Sequence, residues 1–143
     1  MCLVKDTILQ NKSDFFTISE TWTDLTVSDA SLEISGYQLF RQDRGKHKNG
    51  GGLCIYAKLN LKITVLDDLS LACEDGFQQL WLRVQCRSHK SFLVCNTYRP
   101  PDTPASCFEN LAKCFVDALL MDLDIIILGD LNYNLLASSP ETK

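Results

Sequence analysis

Two short runs, SFLVCNTY at 91–98 and DIIILGD at 124–130, are apolar on successive residues instead of on alternate ones. A strand with one wet face alternates, so runs of this kind suit central strands covered on both faces. Between them Phe108, Leu111, Ala112, Phe115 and Leu119 recur at the spacing of one helix face. That helix has two candidate starts: Thr103 with Pro104 in the first turn, or Ser106 and Glu109 as a capping box. Buried strands with a helix between them make this an α/β chain.

The remaining segments are amphipathic. Leu3, Val4, Thr7 and Ile8 predict a short helix over 2–11, and DFFTIS predicts a strand. GGLCIYAK places Leu53, Ile55 and Ala57 on alternate positions, LKITVL does the same with Leu61, Ile63 and Val65, and Asn60 lies between them. This pattern predicts a hairpin. QQLWLRVQC predicts a half-buried strand with Leu80, Leu82 and Val84 on one face, Arg83 and Gln85 on the other, and 67–76 as its irregular approach. No repeat or linker divides the 143 residues, so one domain over 1–143 with antiparallel hairpins is expected.

Composition narrows the class. A chain 45% hydrophobic and 22% charged is folded rather than disordered. Its apolar runs are too short to span a membrane, and MCLVKDTILQNK lacks the apolar centre of a signal peptide, so neither a membrane nor export is expected. Seven cysteines without a C-x-x-C pair, most of them inside apolar runs, read as packed thiols in a reducing compartment, with no disulfide framework and no zinc. A net charge of −4 argues against coating nucleic acid by bulk electrostatics. Locally, RQDRGKHK at 41–48 sets four Lys or Arg against one Asp. This segment is either a solvated loop or a patch for phosphates.

Three apolar runs end, in the chain direction, on polar residues: FFTISETW on Glu20, FLVCNTYRPP on Asn96 and Tyr98, and IIILGDLNYN on Asp130 and Asn132. If those ends share one rim of a sheet, two carboxylates, two amides and a phenol surround one cavity. Oxygen donors with few carboxylates suit Mg²⁺, leaving room for a phosphate oxygen held by the amides and the phenol. Singly, each residue has a plainer reading. Glu20 can cap the following turn, Tyr98 can be a core aromatic, YRPP a rigid strand exit, and GDLNYN a turn.

ISETW, GYQLFRQDR, GGGLCIYAK, NTYRPP and ILGDLNYN, in this order, resemble the endonuclease, exonuclease and phosphatase (DNase I-like) superfamily. Within it they are similar to the apurinic-type endonuclease domain of non-LTR (LINE-like) retrotransposons. The resemblance implies a partial four-layer α/β sandwich, two mixed sheets with helices outside, and Mg²⁺-dependent hydrolysis of a phosphodiester, with Mn²⁺ as a substitute. By position it implies that Glu20 and Asp130 bind the metal, that Tyr98 contacts the scissile phosphate, and that Asp130 aligns or deprotonates the attacking water beside Asn132. Arg41, Arg44, Lys46 and Lys48 would then contact DNA, and a nuclear location is expected.

Relatives of this type have an earlier strand ending in asparagine, a longer second half with further acids, and a terminal Ser-Asp-His motif. The expectation is therefore a fragment truncated at both ends, with half a site, inactive alone, and open at sheet edges to a second copy or a complementing partner. Two alternatives stand beside it: a non-catalytic remnant that binds nucleic acid or protein, and a phosphoesterase of the same superfamily with another substrate.

Overall fold

The computed structural model describes residues 2–45, 50–86, 89–101, 103–104 and 106–133. Lys46, His47, Lys48 and Asn134 lie outside the described residues. The elements run α1 (Cys2–Asn11), β1 (Phe15–Ser19), α2 (Asp29–Leu32), β2 (Tyr37–Gln42), β3 (Leu53–Lys58), β4 (Lys62–Val65), β5 (Leu71–Ala72), β6 (Gln78–Gln85), β7 (Phe92–Tyr98), α3 (Cys107–Leu119) and β8 (Asp124–Asp130). No helix among the described residues is long and apolar enough to cross a membrane.

Two sheets form. One has the order β1-β3-β2 and is antiparallel throughout. The other has the order β4-β6-β7-β8, with β5 also on β6, and is mixed because β7 and β8 run parallel. Leu53 and Ile55 of β3 pack between the sheets on Leu80, Leu82 and Val84 of β6 and on Val94 and Tyr98 of β7. On the outer side of the first sheet, Ile8 of α1 joins Cys54 and Tyr56. On the outer side of the second, Cys114 and Ala118 of α3 join Trp81, Leu93 and Cys95. The layers are therefore helix, sheet, sheet, helix.

The predicted hairpin of GGLCIYAK and LKITVL does not form, because β3 pairs with β1 and β2 while β4 pairs with β6. Alternation tells which face a residue takes but not which strand lies beside it. β3 is buried at all but its last position and so needs neighbours on both edges, whereas β4 alternates between exposed and half-buried, as an edge strand does. The Gln38 amide takes the Lys58 and Leu61 carbonyls at 3.2 and 2.9 Å, closing the turn between the strands from outside.

Three other expectations need correction. β6 is covered on both faces, because Gln79 and Trp81 on its second face are buried towards α3. In α3 the buried stripe is rotated onto Cys107, Cys114 and Ala118, while Leu119 is 53% exposed. Small thiols and a methyl allow the helix to lie close to the sheet, which larger side chains at those positions would prevent. The helix starts at Cys107 with Ser106 in the capping position, yet no side-chain cap bond forms there, and Cys107 N donates instead to Pro104 O at 3.1 Å.

β8 is a further case. Its only strand neighbour among the described residues is β7, and Ile126, Ile127 and Leu128 are 45, 39 and 43% exposed. A run of isoleucines predicts cover on both faces, and here the neighbouring elements supply it only near Ile125.

Burial also sets an alkaline limit. It pushes the Cys54 thiol and the Tyr56 phenol up to about 12 from ordinary values of 9.0 and 10.0, and raises Cys95 as well. Unfolded, these groups ionise at their ordinary values, while the fold keeps them protonated. Their contribution is complete below about pH 9 and is lost as pH rises towards the folded values. Urea midpoints should therefore hold from pH 7 to about 8.5 and fall steadily above it.

Candidate functional site

The ends of β1, β7 and β8 meet on one rim. β7 and β8 are parallel with Tyr98 opposite Asp130, which places the phenol and the carboxyl side by side. β1 lies in the facing sheet, and its following residue, Glu20, accepts a hydrogen bond from the Tyr98 hydroxyl through Oε1. Burial first, and then the hydrogen bond and charge of Glu20 with the charge of Asp130, push the Tyr98 phenol above its ordinary 10.0. Tyr98 is thus a donor at any neutral pH.

Three backbone positions at this rim are left-handed: Glu20, Trp22 and Asn132 have φ of 54°, 58° and 45°. Each such residue costs about 1–3 kcal/mol unless its surroundings hold it. Thr21 N and Trp22 N donate to Gly52 O and Gly51 O at 3.1 and 2.9 Å, which holds the segment after Glu20. Gly52 has φ of 88°, and a Cβ there would collide with the Thr21 hydroxyl, so the close approach requires glycine. Gln78 joins this corner to the second sheet, accepting from Gly52 N at 2.6 Å and donating to Asp43 O at 3.0 Å.

Asn132 is held from the other side. Its backbone N donates to Asp130 Oδ1 at 2.8 Å and its amide to Arg99 O at 2.8 Å. Arg99, nearly buried, returns the contact through Nη1 to Asn132 O at 3.1 Å, while Arg99 N donates to Asp130 O at 2.9 Å and Nη2 to Thr103 O. One residue therefore fixes the loop carrying both Asp130 and Asn132. Arg99 and Gln78 are the positioning residues that sequence reasoning missed. The YRPP motif contained the first, but only as a strand exit.

Asn96 does not reach the cavity. It points between the sheets and donates to Ile18 O and Cys54 O at 3.0 and 3.1 Å, with no exposed surface. The second amide expected in the cavity is instead a tie between sheets. Arg41 lies in β2 rather than in a loop, and its guanidinium is taken by Asp29 at 3.1 Å and Asp43 at 3.3 Å. Arg44 remains nearer the site, its Cζ 6.0 Å from the Trp22 ring centre and its Nη2 3.2 Å from Asp24. Asp24 is held down at about 2, chiefly by the Thr26 hydroxyl and backbone and then by Arg44.

Oxygen donors dominate the rim: the Glu20 carboxylate takes the Tyr98 phenol, and Asp130 lies opposite Tyr98 in register. Among the described residues no Lys, Arg or His pairs with Glu20 or Asp130. Two acids without a basic partner fit a hard divalent cation by donor type and by charge. No group of three or more His, Cys, Asp or Glu among the described residues is placed to hold a metal. His89 precedes β7 and lies at the opposite end of that strand from Tyr98.

This arrangement is a DNase I-like α/β sandwich with oxygen donors at the rim of its two sheets. The fold that the motif resemblance implies is shared by solved structures that match this chain. The endonuclease domain of TRAS1, a telomere-specific non-LTR retrotransposon, superposes with a TM-score of 0.69 at 14% identity, covering 92% of this chain and 54% of that one. ANGEL2, a 2′,3′-cyclic phosphatase, superposes at 0.64 and 17% identity, covering 93% and 43%. At such identities the likeness is one of fold, and this chain spans about half the length of the structures it matches. No family model matches the chain, and no curated protein matches it.

Proposed function

We propose that the chain carries part of the site of a Mg²⁺-dependent DNA endonuclease of retrotransposon type, and that its substrate bond is a phosphodiester. The observation that carries this reading is the rim itself: Tyr98 donating to Glu20, with Asp130 in register beside it. Glu20 and Asp130 would hold the cation, which when bound supplies Lewis acidity at the phosphate. Tyr98 stays protonated, and with Glu20 turned to the cation its one hydroxyl proton, now given to Glu20, would pass to a non-bridging phosphate oxygen. Asp130 has one oxygen engaged by Asn132 N, leaving the other to orient a water and accept its proton. Arg99 keeps that loop in place.

The likeness to ANGEL2 favours a second reading in which the same rim serves a phosphoesterase with another substrate. Both readings share the phosphodiester and the carboxylate pair. With no histidine at the rim among the described residues, the 143-residue chain should not nick supercoiled DNA. Among the described residues β8 has one strand neighbour, and a complementing chain or a second copy at its other edge, like a nuclear location, belongs with the endonuclease reading.

Binding is the informative experiment. Duplex DNA titrated at several salt concentrations should bind weakly, with affinity falling steeply with salt and little dependence on base sequence. Replacing Arg44, Lys46 and Lys48 together by Gln should flatten the slope of log affinity against log salt by about 2–3, at roughly 0.9 per lost phosphate contact. An unchanged slope would remove this segment from the interface.

A further inference from the structure

Resting on the nucleic-acid reading above, we infer that Trp22 is a stacking platform for an unpaired nucleobase next to the phosphate held at the rim. Trp22 is a bulky side chain on a left-handed backbone (φ 58°), pinned through its N–H to Gly51 O at 2.9 Å. It is nevertheless 56% exposed, although the chain places its other tryptophan, Trp81, at 0%. Its indole is open to solvent beside the Glu20 carboxylate, whereas that of Trp81 lies in the core.

Its position is informative. A Cβ on Gly50 would lie 3.9 Å from the indole and 3.8 Å from Glu20 Oε1, so ring and carboxylate flank the same point. The Arg44 guanidinium stands 6.0 Å from the ring centre and is itself held by Asp24 at 3.2 Å. An exposed aromatic surface on a pinned backbone, a cation beside it and a carboxylate two residues away are the parts needed to hold a base while its backbone phosphate reaches the rim. Stacking tolerates any base, since each has a π-face, so this site would add affinity without sequence preference.

The two tryptophans make the test direct. With Trp81 buried, fluorescence quenching on titration reports on Trp22. The probes are a short oligothymidylate and an abasic deoxyribose phosphate oligomer of equal length, which presents the same charges without bases. The expected result is quenching by the first and not the second, with Trp22→Ala weakening oligothymidylate binding about 5- to 150-fold. Trp22→Phe should restore part of that loss and Trp22→Leu should not, each checked for unchanged circular dichroism. Equal binding by Trp22→Leu, or equal affinity of the native protein for the abasic oligomer, would overturn the stack while leaving phosphate binding intact. If neither oligomer binds, both the stack and the nucleic-acid reading fall.

Discussion

Gly129→Ala should be the most damaging single methyl addition in this chain, lowering stability by about 2–6 kcal/mol as backbone strain and overpacking combine. Gly129 has φ of 134°, and a Cβ there would lie 2.8 Å from Thr97 N and C, with the Thr97 carbonyl oxygen closer still. Those atoms are backbone of the central strand β7, paired in register with β8, so they cannot rotate away as a side chain could. A loss of this size approaches the whole stability of an ordinary domain. Gly36→Ala is the matched control, because Gly36 also has positive φ, 87°, but nothing within 4 Å of the added carbon. It should cost about 1–2 kcal/mol, the strain of a left-handed alanine alone. Urea denaturation of the two variants separates them. Equal losses would mean that β7 and β8 do not approach as closely at Thr97 as the pairing requires.

The second large effect concerns the carboxylates. Glu20 comes from the first sheet and Asp130 from the second, and Tyr98 joins them at the rim. In the proposed site each would contribute one of two negative charges to the cation, and an amide in its place keeps the shape while removing the charge. Either Glu20→Gln or Asp130→Asn should weaken Mn²⁺ binding tenfold or more, about 1.4 kcal/mol at the least. Asn at position 130 keeps an Oδ1 acceptor for Asn132 N, and Glu20→Gln leaves that loop untouched, so both variants test the loss of charge with the loop in place.

Much of this site was legible because strand ends are marked in sequence. Runs of successive apolar residues gave β7 and β8 as strands, and the polar residues just beyond them fell on one rim as the shared chain direction suggested. What alternation could not give was partnership. The residues of β3 and β4 look like one hairpin, and only the need of β3 for cover on both edges sends them to different sheets. The role of Asn96 was hidden for a related reason. An asparagine near a strand end reads as a ligand, but position 96 faces the other sheet, where two carbonyls require a donor. Arg41 read as a free cation because its partners, Asp29 and Asp43, include one twelve residues earlier in sequence. The long reach of Arg99 to the loop at 130–132 left no local pattern at all.

We propose that Glu20 and Asp130 form one cation site across the two sheets. Water proton relaxation in a Mn²⁺ titration, with Mg²⁺ competition, measures it on the folded chain. A single weak site is expected in the native protein, displaced by Mg²⁺, and weakened by Glu20→Gln and by Asp130→Asn to a similar degree. Binding in both variants that matches the native protein would contradict it and return Asp130 and Asn132 to the status of a turn at a strand end.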